Sequence, residues 1–218
     1  MCGRYYIAYD EEDERLKLIL RELNHGIPTN QAFAPGEIFP TNLAPVVVRK
    51  DDGGSAVRGM RWGFPRVGGG GVVINSRSEK AHVTPMFQKA VRERRCLVPM
   101  TGFFEWRRTP GGTKTKEKYA FQTLAAREKH TPMYLAGVYG QFLGGFADGG
   151  FDGFAILTQA ADEQMAPYHD RMPVIVEGEE KKKALLFAPA DTPYEALRGL
   201  FAPPTLAITR VWPEEKRS

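Results

Sequence analysis

The sequence has few cysteines, no long apolar run and no internal repeat, and each absence narrows the kind of protein it encodes. Only Cys2 and Cys96 occur among its 218 residues, so we expect no disulfide framework and a reducing, cytoplasmic setting. No apolar stretch is long enough to span a bilayer, so we expect no membrane partner. No basic segment leading into an apolar one opens the chain, and we therefore predict no secretory signal.

Metal ligands are scarce as well. The chain has four histidines, and no Cys/His pair stands at the spacing that zinc sites use. The glycine run at 68–71 lacks the Lys-Ser/Thr pair that completes a phosphate loop, so it predicts a flexible loop. We therefore expect no metal and no cofactor.

Charge is distributed unevenly along the chain. Residues 58–118 hold 14 Lys and Arg against 4 Glu and no Asp, a local net charge of +10, although the whole chain carries only +4. A basic middle inside an acidic remainder indicates one face that attracts a polyanion such as nucleic acid. The alternative is a solvated surface whose charges average out in three dimensions.

Short runs rich in β-branched and aromatic residues, bounded by glycine or proline, dominate the chain and predict strands. They lie at 46–49, 56–62, 72–75, 96–99, 102–107, 119–123, 133–140, 154–159 and 205–211, whereas helices are predicted at 11–23, 86–94, 178–187 and 193–200. This pattern predicts an α+β fold, a single domain over 1–218 with a mainly antiparallel, distorted β-barrel and peripheral helices. We expect a flexible C-terminal tail at 212–218.

Position 2 carries the most specific chemistry in the sequence. Residue 2 is small, so Met1 should be removable, and its removal leaves Cys2 with a free α-amine beside its thiol. An α-amine has a pKa of about 8, so part of it is unprotonated at neutral pH. Such an amine can form a Schiff base with an aldehyde, and the thiol can then close a thiazolidine ring. The same pair could serve an N-terminal-nucleophile hydrolase, or the cysteine could lie in an inactive, frayed terminus.

The run GFFEWRR at 102–108 predicts a strand whose side chains alternate between two faces. Phe104 and Trp106 share one face, and Phe103, Glu105 and Arg107 share the other. A carboxylate flanked by aromatic rings is partly desolvated and suited to carrying protons, which makes Glu105 a candidate general acid or base. The alternative is a surface glutamate paired with a neighbouring arginine.

Two further polar runs, YHDRMPVIV at 168–176 and VVINSRSEK at 72–80, hold candidate binding residues. His169 is the only histidine in a dense polar cluster before an apolar strand, and Pro173 predicts a rigid turn there. The second run predicts a strand that ends in a polar loop, where Asn75, Ser76 and Arg77 supply donors, with Arg77 a natural phosphate contact. In RWGFP, Trp62 could stack on an unpaired base, although core packing is the more frequent fate of such a residue.

Five blocks, MCGRY, RWGF, NSRSEK, CLVPMTGFFEWRR and HDRMPVIV, resemble in order and spacing the SRAP family of SOS-response-associated peptidases, or abasic-site processing proteins. Members of this family have one α+β domain on a distorted antiparallel barrel. They bind single-stranded DNA and crosslink to abasic sites through an N-terminal cysteine. The resemblance therefore implies a DNA-damage response protein whose partner is single-stranded DNA with abasic sites. We expect a monomer that is nucleoid-associated when it acts on DNA.

The resemblance also implies a role for each matched residue. Cys2 would form the Schiff base and then the thiazolidine with the ring-opened sugar, and Asn75 would orient it. Glu105 would shuttle protons, and His169 would assist sugar ring opening. The other matched residues would form the DNA site: Arg4, Arg77 and Arg171 would hold the phosphates, Ser76 and Thr158 would add polar contacts, and Trp62 and Trp106 would pack against the bases or shape the groove.

Three hypotheses thus stay open from the sequence. The first is covalent capping of abasic sites in single-stranded DNA by lyase-like Schiff-base chemistry. The second is an N-terminal-nucleophile peptidase or amidase, of which self-processing that removes Met1 is a minimal version. The third is a non-catalytic single-strand binding module in which Cys2 is incidental.

Overall fold

The computed structural model describes residues 2–8, 14–25, 33–108, 116–143 and 150–211, and these residues form strands β1–β14 and helices α1–α5. The strands are β1 (Tyr5–Ile7), β2 (Gly36–Ile38), β3 (Leu43–Arg49), β4 (Ser55–Trp62), β5 (Phe64–Pro65), β6 (Val72–Val73), β7 (Asn75–Arg77), β8 (Arg95–Met100), β9 (Gly102–Arg108), β10 (Lys116–Thr123), β11 (Met133–Phe142), β12 (Phe151–Ala160), β13 (Arg171–Pro173) and β14 (Leu206–Val211). The helices are α1 (Glu14–Asn24), α2 (Gln88–Glu93), α3 (Leu124–Lys129), α4 (Glu179–Phe187) and α5 (Tyr194–Arg198).

The larger sheet closes on itself as a barrel. Strands β11, β8, β3, β4 and β12 pair in that order, and β12 pairs back onto β11. The pairs are antiparallel except for β12 with β4 and with β7, which are parallel. Apolar side chains fill the interior and are fully buried, among them Val46, Met60, Cys96, Leu135 and Phe154. The prediction of an α+β fold with a distorted barrel and few helices is confirmed.

A second sheet, of five strands in the order β14-β10-β9-β1-β2, carries the N-terminal strand. Its inner face joins the core, where Phe103 stacks on Phe121 with ring centroids 5.0 Å apart. Strand β1 is an interior strand, since it pairs with β2 on one side and with β9 on the other. The backbone N–H of Phe104 donates to the carbonyl of Arg4 at 2.9 Å, which brings the start of the chain beside the middle of β9.

Two local predictions were wrong. Ser76 and Arg77 do not form a loop but continue from Asn75 as strand β7, which pairs in parallel with β12. Pro173 does not make a turn but ends strand β13, which is hydrogen-bonded to β12 along one side. Proline is tolerated there because β13 lies at the end of its sheet, where a missing N–H breaks no ladder.

Two further expectations concern the C-terminal tail and membrane-spanning segments. The predicted C-terminal tail at 212–218 lies outside the described residues. Within the described part of the chain, no helix has both the length and the apolar character needed to cross a membrane.

Candidate active site

Cys2 precedes β1 and is fully buried in the core at the junction of the two sheets. Its Sγ lies 3.7 Å from the carbonyl oxygen of Arg4. The side-chain amide of Asn75, at the start of β7, donates from Nδ2 to the Cys2 carbonyl at 2.9 Å. The Oδ1 atom of the same amide is buried and accepts no hydrogen bond from the described residues. The structure thus brings a buried amide with a free acceptor to the residue that the sequence singled out.

The environment of the Cys2 thiol keeps it protonated. Burial raises the pKa of the Cys2 thiol far above its ordinary value, and the negative charge of Glu105 raises it further. Glu105 is therefore close enough for its carboxylate to act electrostatically on the sulfur. A thiol in this environment reacts by giving its proton to a neighbouring base as it attacks, because the free thiolate is not stabilised.

Glu105 occupies a buried position in the middle of β9, with only 5% of its surface exposed. It stands opposite Tyr119 of β10, and Arg107, two residues along, reaches across to Glu117 at 3.0 Å. The predicted alternation is confirmed, since Phe103 stacks on Phe121 of the core while Phe104 stacks on Tyr6 outside it. The alternative of a surface glutamate is excluded by this burial.

A cleft of about 1010 Å³ opens beside Glu105. His169 and Trp106 line it together with the basic side chains of Arg4, Arg107 and Lys116. Cys2 itself is fully buried and is not part of this lining. The structure therefore gathers the two predicted proton-transfer residues in one basic cleft, with the cysteine electrostatically coupled to the first of them.

The orientation of His169 is set by its neighbours in the chain. The backbone N–H of Arg171 donates to His169 Nδ1 at 3.0 Å. A neutral imidazole that accepts this bond at Nδ1 carries its proton on Nε2. Asp170 Oδ1 lies 2.6 Å from the same Nδ1, a contact that needs a proton on Nδ1, so the form that pairs with Asp170 is the imidazolium, which has an N–H at both ring nitrogens.

Arg171 is held by a carboxylate, not left open to solvent. Its guanidinium makes a two-pronged contact with Glu79, at 2.7 Å and 2.8 Å, and a third bond to the carbonyl of Thr158 at 2.7 Å. Only 12% of the Arg171 side chain is exposed. In this conformation Arg171 links the segment after β7 to β12 and β13, and a phosphate would have to displace Glu79 to reach it.

Losing the charge of Glu79 should weaken the fold in acid. Arg171 lowers the pKa of Glu79 from 4.5 to about 2, because its guanidinium donates to the ionised carboxylate in the folded protein. The ionised form of Glu79 is therefore more favourable in the folded state than in the unfolded chain. That stabilisation is present above pH 4.5 and is lost as the pH falls towards 2. We expect Glu79→Gln to lower the free energy of unfolding at pH 7 and to flatten its fall between pH 5 and pH 2.5. Urea denaturation at several pH values measures this, and an unchanged pH dependence would contradict the role of the pair.

The other predicted DNA contacts fall into two groups. Trp62 is fully buried, donates from Nε1 to the carbonyl of Ile74 at 3.0 Å and packs on Tyr5, which is the core-packing alternative and leaves no ring face open to a base in this conformation. Ser76 and Thr158 are also buried. Arg77 is exposed and forms no ion pair with any described residue, whereas Trp106 is half-buried in the cleft wall.

Sequence reasoning missed the acidic partners of the basic residues. Glu79 stood inside the block NSRSEK, but its partner Arg171 is 92 residues away. Glu37 pairs with Arg4 at 3.3 Å and also with Lys118, and no sequence pattern joins these three. Such pairs depend on the strand order of the sheet, which is a long-range property.

Comparison with known proteins is consistent with this geometry. The family model described as SOS response associated peptidase (SRAP) matches residues 1–214. Abasic site processing protein YoqW of Bacillus subtilis is 27% identical over 226 residues, covering 93% of this chain and 87% of the relative. Abasic site processing protein YobE of the same bacterium is 28% identical over 217 residues, covering 93% and 89%. A crystal structure from Bordetella bronchiseptica shares the fold, with a TM-score of 0.73 over 97% of this chain and 100% of that chain at 22% identity.

Proposed function

The chain belongs to the SRAP family, and from that premise we propose that it caps abasic sites in single-stranded DNA by covalent attachment of Cys2. The relatives named above are abasic site processing proteins, which supports an activity directed at abasic sites in the DNA-damage response. The observation that carries the finer proposal is the convergence of Cys2, Asn75 and Glu105. One hydrogen bond of 2.9 Å joins the first two, and the charge of the third acts on the thiol.

The reaction begins with the lesion, a sugar that has lost its base and exists mainly as a cyclic hemiacetal. Opening the ring breaks the bond between the anomeric carbon and the ring oxygen. Glu105 takes the proton of the anomeric hydroxyl, and the imidazolium form of His169 gives its Nε2 proton to the departing ring oxygen, which leaves a sugar hydroxyl, a protonated Glu105 and a neutral His169. Both side chains line the same cleft, so one sugar bound there can contact the base and the acid together.

Capture of the open-chain aldehyde follows in two bonds. The α-amine of Cys2, freed of Met1, attacks the aldehyde carbon, and loss of one water gives the Schiff base. The Sγ atom then adds to the imine carbon while its proton passes, through Glu105, to the imine nitrogen. The product is a five-membered thiazolidine, and the only other product is the water already lost. Asn75 Oδ1, buried and open to a donor, orients the amine.

The surroundings of the thiol argue for this route over the peptidase alternative. In an N-terminal-nucleophile peptidase the α-amine takes the proton of the thiol, so the thiol has to be activated in the first step. Here burial and a carboxylate raise the thiol pKa, and the thiol is needed only after the imine has formed. The basic lining of the cleft, with Arg4, Arg107 and Lys116, suits a DNA backbone, and exposed Arg77 offers a further phosphate contact.

A denaturing gel tests the proposal. The purified protein is incubated with a single-stranded oligonucleotide that carries one abasic site, and with the same strand lacking the lesion. We expect a heat-stable, slower band with the first strand only. Intact mass before the reaction establishes whether Met1 is absent, because a blocked amine cannot form the ring. Processed protein that gives no shifted band would overturn the proposal.

A further inference from the structure

The outer face of the five-stranded sheet holds cations between aromatic rings beside the cleft. The guanidinium carbon of Arg4 lies 4.3 Å from the ring centroid of Phe39 and 5.0 Å from that of Trp106. The ammonium of Lys118 lies 3.7 Å from the ring centroid of Phe104. Lys118 stands opposite Trp106 in the pairing of β10 with β9, so these groups occupy one continuous surface.

A single carboxylate bridges the two cations. Glu37 Oε2 lies 3.3 Å from Arg4, and Glu37 Oε1 contacts the ammonium of Lys118. None of the three side chains is deeply buried, with exposed fractions of 32% for Arg4, 35% for Glu37 and 22% for Lys118. Each carboxylate oxygen of Glu37 thus contacts a different cation. The two unbridged oxygens of a phosphodiester could contact the same two cations in the same way.

We propose that Arg4 and Lys118 form a phosphate-binding position for the single strand next to the lesion, and that Glu37 occupies it in the free protein. The inference rests on the proposed function and adds two residues to it, Lys118 as a backbone contact and Glu37 as an internal competitor. Arg4 and Trp106 line both this position and the cleft, so a strand held in the cleft continues onto this face.

The aromatic rings explain why displacement of Glu37 leaves a usable site. Each cation keeps its attraction to a ring face when the carboxylate moves away, so the positive groups stay in place for the incoming phosphate. Phe39 is 40% exposed, and aromatic faces between cations are typical of surfaces on which unpaired bases stack.

Equilibrium binding of an undamaged, labelled single strand tests the inference without any covalent step. Glu37→Gln should raise the affinity at low salt by about threefold to fivefold, because exposed ion pairs of this kind contribute little and their loss frees the cations. Lys118→Gln should weaken binding and reduce the salt slope by about 0.7, the value for one phosphate contact on a single strand. Glu14→Gln and Lys17→Gln, which break an equivalent pair on α1, are the matched controls and should change neither quantity.

Each outcome decides the matter. If the strand binds wild-type protein and all four variants match it in affinity and salt slope, the inference fails and the proposed function stands. If Glu37→Gln lowers the melting temperature without raising affinity, Glu37 is only structural and the inference fails. The same measurement is made with a polyglutamate peptide. If Glu37→Gln raises the affinity for this peptide as much as it raises the affinity for DNA, the face binds anions generally and the assignment to a DNA strand is overturned. If wild-type protein binds no strand and forms no adduct, the proposed function fails as well.

Discussion

Cys2→Ala is expected to give no heat-stable adduct with an abasic strand, whereas the Schiff base should still form. Removal of Met1 from this variant leaves the substituted alanine with a free amine, so the aldehyde is still attacked, but without sulfur the ring cannot close. A denaturing gel with heating should show no shifted band. Addition of borohydride, which reduces the imine to a stable amine, should restore a band.

Cys96→Ala is the matched control, because Cys96 is the second cysteine and is equally buried. It belongs to the barrel interior, beside Gly137 on β11, and should retain full crosslinking. Both variants remove one sulfur from the core, at a cost to the free energy of unfolding of about 1 kcal/mol. A heat-stable adduct from Cys2→Ala without borohydride would contradict the thiazolidine.

Glu105→Gln is expected to slow adduct formation by about 100-fold, the usual scale of general acid–base catalysis, while affinity for the strand stays within about twofold. The amide keeps the shape of the side chain but cannot accept a proton in ring opening or release one to the imine nitrogen. Quenched time courses on an abasic strand give the rate, and binding to an undamaged strand gives the affinity.

Glu195→Gln serves as the control for this experiment. Glu195 pairs with Arg198 on α5, is not part of the cleft lining, and should leave both quantities unchanged. If Glu105→Gln lowered affinity and rate by the same factor, Glu105 would be structural and not a proton carrier. Circular dichroism of the variant guards against a general loss of fold.

The sheet elements with strong local patterns could be predicted from the sequence. The expected strand at 56–62 is β4 at Ser55–Trp62, and that at 119–123 lies within β10 at Lys116–Thr123. Their alternating or β-branched side chains carry the information locally. Helix α3 was missed although its signals are local, since Thr123 caps it through a bond from the Ala126 N–H at 3.1 Å and His130 ends it at a φ of 46°.

Short strands held by distant partners could not be predicted. Strand β1 has three residues and depends on β2 and β9, whereas β13 depends on β12. The residues of the candidate site were identified individually, through the chemistry of Cys2 and the family blocks. Their electrostatic partners were not, because Glu79 and Glu37 reach their cations through contacts that only the folded sheets create.

The interior position of β1 has a consequence for timing during synthesis. The strand is complete within the first residues to leave the ribosome, yet its neighbour β9 ends only at Arg108. Until that segment emerges, β1 lacks one of its two neighbours, and the removal of Met1 that the proposed function requires has free access to the start of the chain. Once β1 is locked between two neighbours and the cysteine is buried, that opportunity closes. We therefore expect the removal of Met1 that the proposed function requires to take place during translation, before the fold is complete.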